Sequence, residues 1–241
     1  MTERLITNTK DYTAEKLKNY DWDIIELNID INHAEMREWY NTIATKYPTM
    51  QFDVSKTDLM KPDIRDRMAD FKEQHLWGTP KQWTLQWSVQ RNDAIPFKYI
   101  ADPNQYPEIL QDDFEENFNT PLEQYYFGGF KKLIETMAEG VWNVARLVQL
   151  DKDTGLKKHV DIPPPDFLPR LHYQIEYTPN AHWWFGENME RKYTLENGKL
   201  YIMNTAVLHT AKNEDDTPWV MLHSNPTDKA IDALFKLVNT V

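Results

Sequence analysis

The sequence contains no cysteine among its 241 residues. Disulfide bonds and thiolate chemistry are therefore excluded, and protein ligands to a metal ion have to come from histidine or carboxylate side chains. No apolar run approaches the length of about 18 residues that a membrane-spanning helix needs. The N-terminus has no basic segment followed by an apolar one, so a signal peptide is not predicted. We expect a cytoplasmic protein.

Clustered positive charge is also missing. No basic run exceeds two residues, and the formal net charge is −11. Because phosphate backbones are bound by clustered lysine and arginine, this composition excludes a nucleic-acid partner. The 41% of hydrophobic residues and 13% of aromatic ones are sufficient for a single large core. We expect a small molecule, a peptide or a protein as the partner, and no membrane.

The N-terminal part, residues 1–140, is predicted to be mostly helical support with strands that extend the core. Asn32 and Glu35 form a capping-box pattern ahead of apolar residues at helical spacing. Thr120 and Glu123 form a second such pattern and predict another helix start, and the paired Gly128-Gly129 inside that helix would let another backbone approach. The predicted elements are a strand over 22–31, helices over 32–47, 62–76 and 120–140, a strand over 81–89 and a loop over 96–119.

From residue 141 the pattern changes to short strands separated by turn residues, among them the hairpin signal Asn197-Gly198. Evenly spaced strands of this kind predict a sandwich or a barrel. We therefore predict a mainly β fold with flanking helices, in one domain over 1–241, with a jelly-roll core over 141–224 and an amphipathic C-terminal helix over 225–241. The predicted strands cover 141–150, 156–162, 171–177, 182–185, 192–195, 199–204 and 219–223.

Two histidines and one aspartate have the spacing of a metal-binding site. His159 and Asp161 are separated by one residue in a predicted strand, so both side chains point to the same face. His209 follows the later strand Leu200–Asn204, which a jelly roll can bring alongside. Two neutral imidazoles and one carboxylate form a facial triad that holds non-haem Fe(II) and leaves three coordination positions open. The alternative is a His-x-Asp sequence that arose without any metal role.

Further residues extend this pattern over about 75 positions. In their order and spacing, residues 150–224 resemble the catalytic core of Fe(II)/2-oxoglutarate-dependent dioxygenases, and within them the aspartyl/asparaginyl β-hydroxylase-like group. The matching residues are Thr154-Gly155, His159-Val160-Asp161, Arg170-Leu171-His172, Gly198 to Asn204, His209 and Asn213.

The resemblance implies a double-stranded β-helix, a cupin-like form of the jelly roll, that binds Fe(II) through His159, Asp161 and His209. It implies 2-oxoglutarate as a co-substrate that chelates the iron, O₂ as the oxidant, and oxidative decarboxylation to succinate and CO₂. The reaction coupled to it would hydroxylate an amino acid or a side chain of a peptide or protein. Arg170 and His172 would line the co-substrate pocket.

Trp219 departs from the family pattern. It stands ten positions after the distal histidine, where the family usually has an arginine that pairs with the far carboxylate of 2-oxoglutarate. An indole offers one N–H and no charge. Three explanations remain open: Arg170 or Lys212 anchors the carboxylate, the co-substrate is a different acid, or the protein keeps the fold without turnover.

Two functional hypotheses follow, an enzyme and a binding module. The intact triad favours a dioxygenase, whereas the missing arginine favours a non-catalytic double-stranded β-helix that retains the metal site. Trp183 and Trp184 are candidates for an aromatic wall of a substrate pocket, with packing in the core or at an interface as the alternative.

Overall fold

The computed structural model describes residues 4–47, 50–51, 73–87, 119–161 and 169–240. Most of the predicted helix over 62–76 and nearly all of the predicted loop over 96–119 lie outside these ranges. The α-helices whose bounds lie within these ranges are α1 Ala14–Leu17, α2 His33–Lys46, α3 Gly128–Thr136 and α4 Asp228–Thr240. The strands of the N-terminal part are β1 Leu5–Ile6, β2 Ile24–Leu27, β3 Met50–Gln51, β4 Leu76–Trp77, β5 Lys81–Thr84, β6 Gln86–Trp87 and β7 Thr120–Pro121. The later strands are β8 Arg146–Leu150, β9 Gly155–His159, β10 Arg170–Glu176, β11 Ala181–Phe185, β12 Arg191–Tyr193, β13 Leu200–Met203, β14 His209–Asn213 and β15 Trp219–Ser224.

The strands form two large sheets and a small two-stranded one. The eight-stranded sheet has the order β1-β2-β13-β10-β15-β8-β5-β3, and the five-stranded sheet has the order β12-β11-β14-β9-β4. From β8 to β15 the chain passes repeatedly from one large sheet to the other, and the pairs between these strands are antiparallel. This strand order is that of a jelly roll, and it confirms the predicted mainly β fold with flanking helices.

The eight-stranded sheet separates two cores, as the alternation along β15 shows. Val220 and Leu222 pack against the helices, whereas Trp219 and Met221 pack between the two large sheets. Side chains that alternate along a strand point to opposite faces of its sheet. Residues at the odd positions of β15 therefore face the interior between the sheets, where a ligand cavity can form.

Helices α2 and α3 cover the outer face of the large sheet. Asn32 caps α2 by accepting a hydrogen bond from the backbone N–H of Glu35, as predicted. Trp39 and Phe130 stack with ring centroids 5.1 Å apart. A Cβ atom at Gly129 would lie 2.8 Å from the backbone of α2. The glycine is therefore required for the close approach of the two helices, as predicted.

The predicted helix start at Thr120 is wrong. Thr120–Pro121 is strand β7, which pairs with β6, and the N–H of Leu122 donates to the carbonyl oxygen of Leu85 at 2.8 Å. This pairing holds the backbone in an extended conformation, so α3 begins only at Gly128. The C-terminal helix was predicted correctly. In the part of the chain that the structure describes, no helix combines the length and the hydrophobicity that crossing a bilayer requires.

Candidate metal centre

Strands β9 and β14 hold the two histidines of the predicted triad. They pair antiparallel with His159 opposite His209, and the two ring centroids are 4.4 Å apart. The backbones approach so closely at Gly155 that a Cβ atom there would collide with the carbonyl oxygen of Ala211. The glycine of the sequence pattern therefore allows β9 to lie against β14 in the register that brings the histidines together.

Strand β14 itself was missed by the sequence analysis. We predicted that His209 follows a strand, but it is the first residue of one. The segment His209–Asn213 is short and is buried at four of its five positions, so it lacks the alternation that identifies a half-buried strand. Asn213, which belongs to the family pattern, donates from its side-chain amide to the carbonyl oxygens of Leu150 and Thr217, both at 2.9 Å. It fixes the connection from β14 to β15.

The three side chains of the triad meet in one place. Asp161 lies just beyond the end of β9, where its backbone N–H donates to the carbonyl oxygen of Thr205 at 3.0 Å. Nε2 of His159 is 3.0 Å from Oδ1 of Asp161, and the ligand atoms of the triad all lie within 4.8 Å of one another. Two ligand atoms at about 2.1 Å from an ion and at right angles are about 3 Å apart. The spacing therefore fits one metal ion.

Backbone carbonyl groups orient both imidazoles. Nδ1 of His159 contacts the carbonyl oxygen of Lys157, and Nδ1 of His209 contacts that of Val207 at 2.9 Å. A carbonyl oxygen only accepts hydrogen bonds, so each Nδ1 carries the proton and each Nε2 is the atom available to a metal. The donor set is thus two Nε2 atoms and a carboxylate, which fits Fe(II).

The electrostatics also suit a cation. Burial by itself would raise the pKa of Asp161, but the Arg170 guanidinium and the histidines hold that pKa well below its usual value. Burial lowers the pKa of His209 to about 4. For His159, burial opposes protonation, but the hydrogen bond to Asp161 outweighs it and raises the pKa. At neutral pH Asp161 is a carboxylate and His209 is neutral, which are the forms that metals bind.

Arg170 is part of the triad's support. Its Nε donates to Oδ2 of Asp161 at 3.1 Å, and its Nη1 donates to the side-chain oxygen of Asn225. Since Oδ1 of Asp161 faces His159, the carboxylate is held at both oxygens. Arg170 thus orients the carboxylate ligand, a contact that its position in the sequence did not reveal.

The triad lines a cavity of about 340 Å³ between the two large sheets. The cavity brings together the triad, Arg170, His172 and Trp183, all of which the sequence analysis selected. His172 is fully buried, and burial lowers its pKa to about 3, so its imidazole is neutral. Trp183 packs edge-on against His172, with ring centroids 5.3 Å apart. The floor is apolar, formed by side chains that include Val148, Leu150 and Met221.

Three predicted site residues lie outside the lining of this cavity. Trp184 points to the opposite face of β11 from Trp183 and packs under the Lys192 ammonium, which is 5.6 Å from its ring centroid. Lys212 makes ion pairs with carboxylates at the surface. Trp219 is completely buried, and its indole N–H donates to Oε1 of Gln174 at 2.7 Å.

The sequence analysis missed Arg146 as a residue of the cavity. Arg146 is on β8, on the same face as Val148 and Leu150, and is paired across strands with His223. His223 also lines the cavity, and its ring centroid is 5.6 Å from that of His172. A single arginine on the otherwise apolar inward face of β8, beside Val148 and Leu150, was the available signal. His75, Gln82 and Thr205 complete the polar lining.

A scan against known protein families finds no matching family, and a search of curated proteins finds no relative. One similar solved structure is that of an oxidoreductase of the 2OG-Fe(II) oxygenase family from Burkholderia pseudomallei. It superposes with a TM-score of 0.46 and 12% sequence identity, over 97% of this chain and 98% of that one. So distant a likeness assigns no function, and the fold class rests on the strand order given above.

Proposed function

We propose that this protein is an Fe(II)- and 2-oxoglutarate-dependent dioxygenase that hydroxylates an amino acid or a side chain of a peptide or protein. The observation that carries the proposal is the convergence of His159, Asp161 and His209 on one point of the cavity between the two large sheets. Only three protein ligands converge there among the described residues, so an octahedral ion would keep positions for a chelating co-substrate and for O₂. The membership in the aspartyl/asparaginyl β-hydroxylase-like group that the sequence pattern implies is part of the proposal.

The residues of the cavity have separate tasks in this proposal. Bound iron would supply the activation of O₂ that drives decarboxylation of 2-oxoglutarate and hydroxylation of the substrate. Arg170 holds Asp161 in its ligand orientation, and the backbone carbonyls of Lys157 and Val207 do the same for the histidines. The apolar floor excludes water from the reacting groups, which strengthens the electrostatic interactions inside the cavity.

The alternative is a binding module without turnover, and Trp219 is the observation in its favour. The family's usual anchor position is taken by a completely buried indole whose N–H is already bound to Gln174. An enzyme of this kind therefore needs another group for the far carboxylate of 2-oxoglutarate. A binding module needs only the cavity and its metal.

The test separates the two hypotheses by spectroscopy and by product. Under anaerobic conditions, Fe(II) and 2-oxoglutarate should together give a visible charge-transfer band, and admission of air should give succinate. His159→Ala should abolish both, because it removes one of three ligands. His182→Ala is the matched control: this histidine lies on β11 outside the lining of the cavity and should leave both signals unchanged.

Each outcome has a defined meaning. A band without succinate would support the binding module. Absence of both signals in the wild-type protein would contradict the dioxygenase proposal, and unaffected turnover in His159→Ala would show that the ligand assignment is wrong.

A further inference from the structure

The cavity contains a second cationic position besides Arg170. Arg146 lies in the interior of the eight-stranded sheet, where Thr84 on β5 and His223 on β15 flank it across the strands. Burial lowers the pKa of His223, and the charge of Arg146 is the next largest cause; at His172 burial and Arg170 lower the pKa and Arg146 adds to their effect. This side of the cavity therefore combines a permanent positive charge with two neutral imidazoles, an environment that suits an anion.

Buried polar atoms beside Arg146 lack partners. Nε2 of His223 and Nε1 of Trp183 are buried, and neither has a hydrogen-bonding partner among the described residues. Both residues line the cavity. An unsatisfied buried donor costs about 1–3 kcal/mol, so such groups usually have a ligand or a water as their partner. A carboxylate next to Arg146 would provide an acceptor for the Trp183 N–H and, with the proton on Nε2, for His223.

The two anchors that the sequence suggested, Arg170 and Lys212, are held by other groups. Arg170 donates to Asp161 and to Asn225, and Lys212 pairs with Asp153 and Glu214 outside the lining of the cavity. The apolar floor can accommodate a short methylene chain. The rings of His172 and Trp183 lie between His223 and His209, with successive centroid separations of 5.6, 5.3 and 5.9 Å. His223, which lies beside Arg146, and the triad thus border the same cavity.

We propose that Arg146 anchors the far carboxylate of the 2-oxo dicarboxylic acid from strand β8, with His223 as a second hydrogen-bonding group. This inference rests on the proposed function. In this proposal the anchoring arginine lies on β8, which pairs with β15. On β15 itself, Trp219 occupies the position at which the family usually has its arginine. A guanidinium offers a carboxylate two parallel hydrogen bonds, which accounts for an arginine at this position.

The test compares two ligands on protein loaded with Mn(II), which replaces iron without turnover. The ligands are 2-oxoglutarate and 2-oxopentanoate, which share the chelating end but differ in the far carboxylate. Binding is measured by titration calorimetry. Arg146→Gln should weaken the binding of 2-oxoglutarate by about ten- to a hundredfold. It should leave the binding of 2-oxopentanoate unchanged.

Three further variants sharpen the result. Arg146→Lys keeps the charge but not the planar fork, so it should weaken 2-oxoglutarate binding several-fold, and it replaces Arg146→Gln if that variant fails to fold. Arg170→Gln should weaken both ligands alike, because Arg170 acts through Asp161. Arg37→Gln is the matched control, since Arg37 pairs with Glu176 at the surface and should leave both affinities unchanged.

The failures are distinguishable. If wild-type protein binds 2-oxoglutarate and the Arg146 variants bind it equally well, or lose both ligands equally, the anchor assignment is overturned and the proposed function stands. If metal-loaded wild-type protein binds neither 2-oxo acid, the proposed function fails together with the anchor.

Discussion

Asp23 and Asp161 are carboxylates next to strand ends that both have an arginine partner, but their roles differ. Asp23, just before β2, has a completely buried side chain that accepts hydrogen bonds from Nε of Arg191 at 2.6 Å and from the hydroxyl of Tyr193 at 2.7 Å. Asp161, just after β9, has a side chain that is 20% exposed and contacts Nε of Arg170 and Nε2 of His159. Both carboxylates lie next to the end of a strand.

The difference lies in the partners. The groups around Asp23 are arginine and tyrosine, which donate hydrogen bonds to it: a guanidinium has no lone pair for a metal, and a neutral phenol is a poor metal ligand. Asp161 has an imidazole as a neighbour, and an imidazole exchanges its proton for a metal ion near neutral pH. A buried carboxylate surrounded by permanent donors fixes structure, whereas one surrounded by histidines and bordering a cavity can become a ligand.

The largest difference should appear in metal affinity. Asp161→Ala removes one of the three proposed ligands and should weaken Mn(II) binding at least a thousandfold, equivalent to about 4 kcal/mol. Asp23→Asn should bind Mn(II) like the wild type, because Asp23 has no contact with the triad. Titration calorimetry measures both. Equal metal affinity in wild type and Asp161→Ala would remove Asp161 from the ligand set.

For the stability of the metal-free protein, the substitution at Asp23 should have the larger effect and the one at Asp161 the smaller. Asp23→Asn leaves Arg191 without its buried counter-charge and should lower the free energy of unfolding by about 3 kcal/mol. Asp161→Ala should cost less, because its carboxylate is partly exposed and His159 can lose its proton. Urea unfolding in the presence of a chelator measures this. A larger loss for Asp161→Ala would contradict the structural role that we assign to Asp23.

The smallest expected effect concerns the pH dependence of the free energy of unfolding, to which the cavity contributes through His172. Burial lowers the pKa of His172 to about 3 in the folded protein, against about 6.5 in the unfolded chain. Below pH 6.5 the unfolded chain therefore binds more protons, and the free energy of unfolding decreases as the pH is lowered. Between pH 6 and pH 5, His172→Asn should reduce this slope by up to about 1.4 kcal/mol per pH unit. An unchanged slope in His172→Asn would show that its imidazole is not held neutral.

Local signals in the sequence predicted much of the architecture. The cap at Asn32 and the spacing of apolar residues after it identified α2, because a helix start depends on residues three or four positions apart. The same reasoning failed at Thr120, since pairing with β6 overrides a capping pattern. Strand β14 was missed because it is buried on both faces and shows no alternation.

The roles of the arginines were beyond sequence reasoning. Arg170 was selected as a candidate anchor, but its contact with Asp161 depends on how the chain beyond β9 is held against Thr205. Arg146 carried no motif, and it enters the cavity only because β8 pairs with β15. Trp219 was recognised as a departure, whereas its hydrogen bond to Gln174 follows from the register of the large sheet.

The sequence by itself determined the candidate ligands, the class of fold and the presence of a tryptophan ten positions after His209, because each depends on residue type and on spacing along the chain. Tertiary structure alone decided which side chains share the cavity. It placed His159 opposite His209 and Arg146 beside His223, and it formed the hydrogen bond from Arg170 to Asp161. The physical reason is that these contacts join residues on different strands, whose register is set by packing on both faces of each sheet.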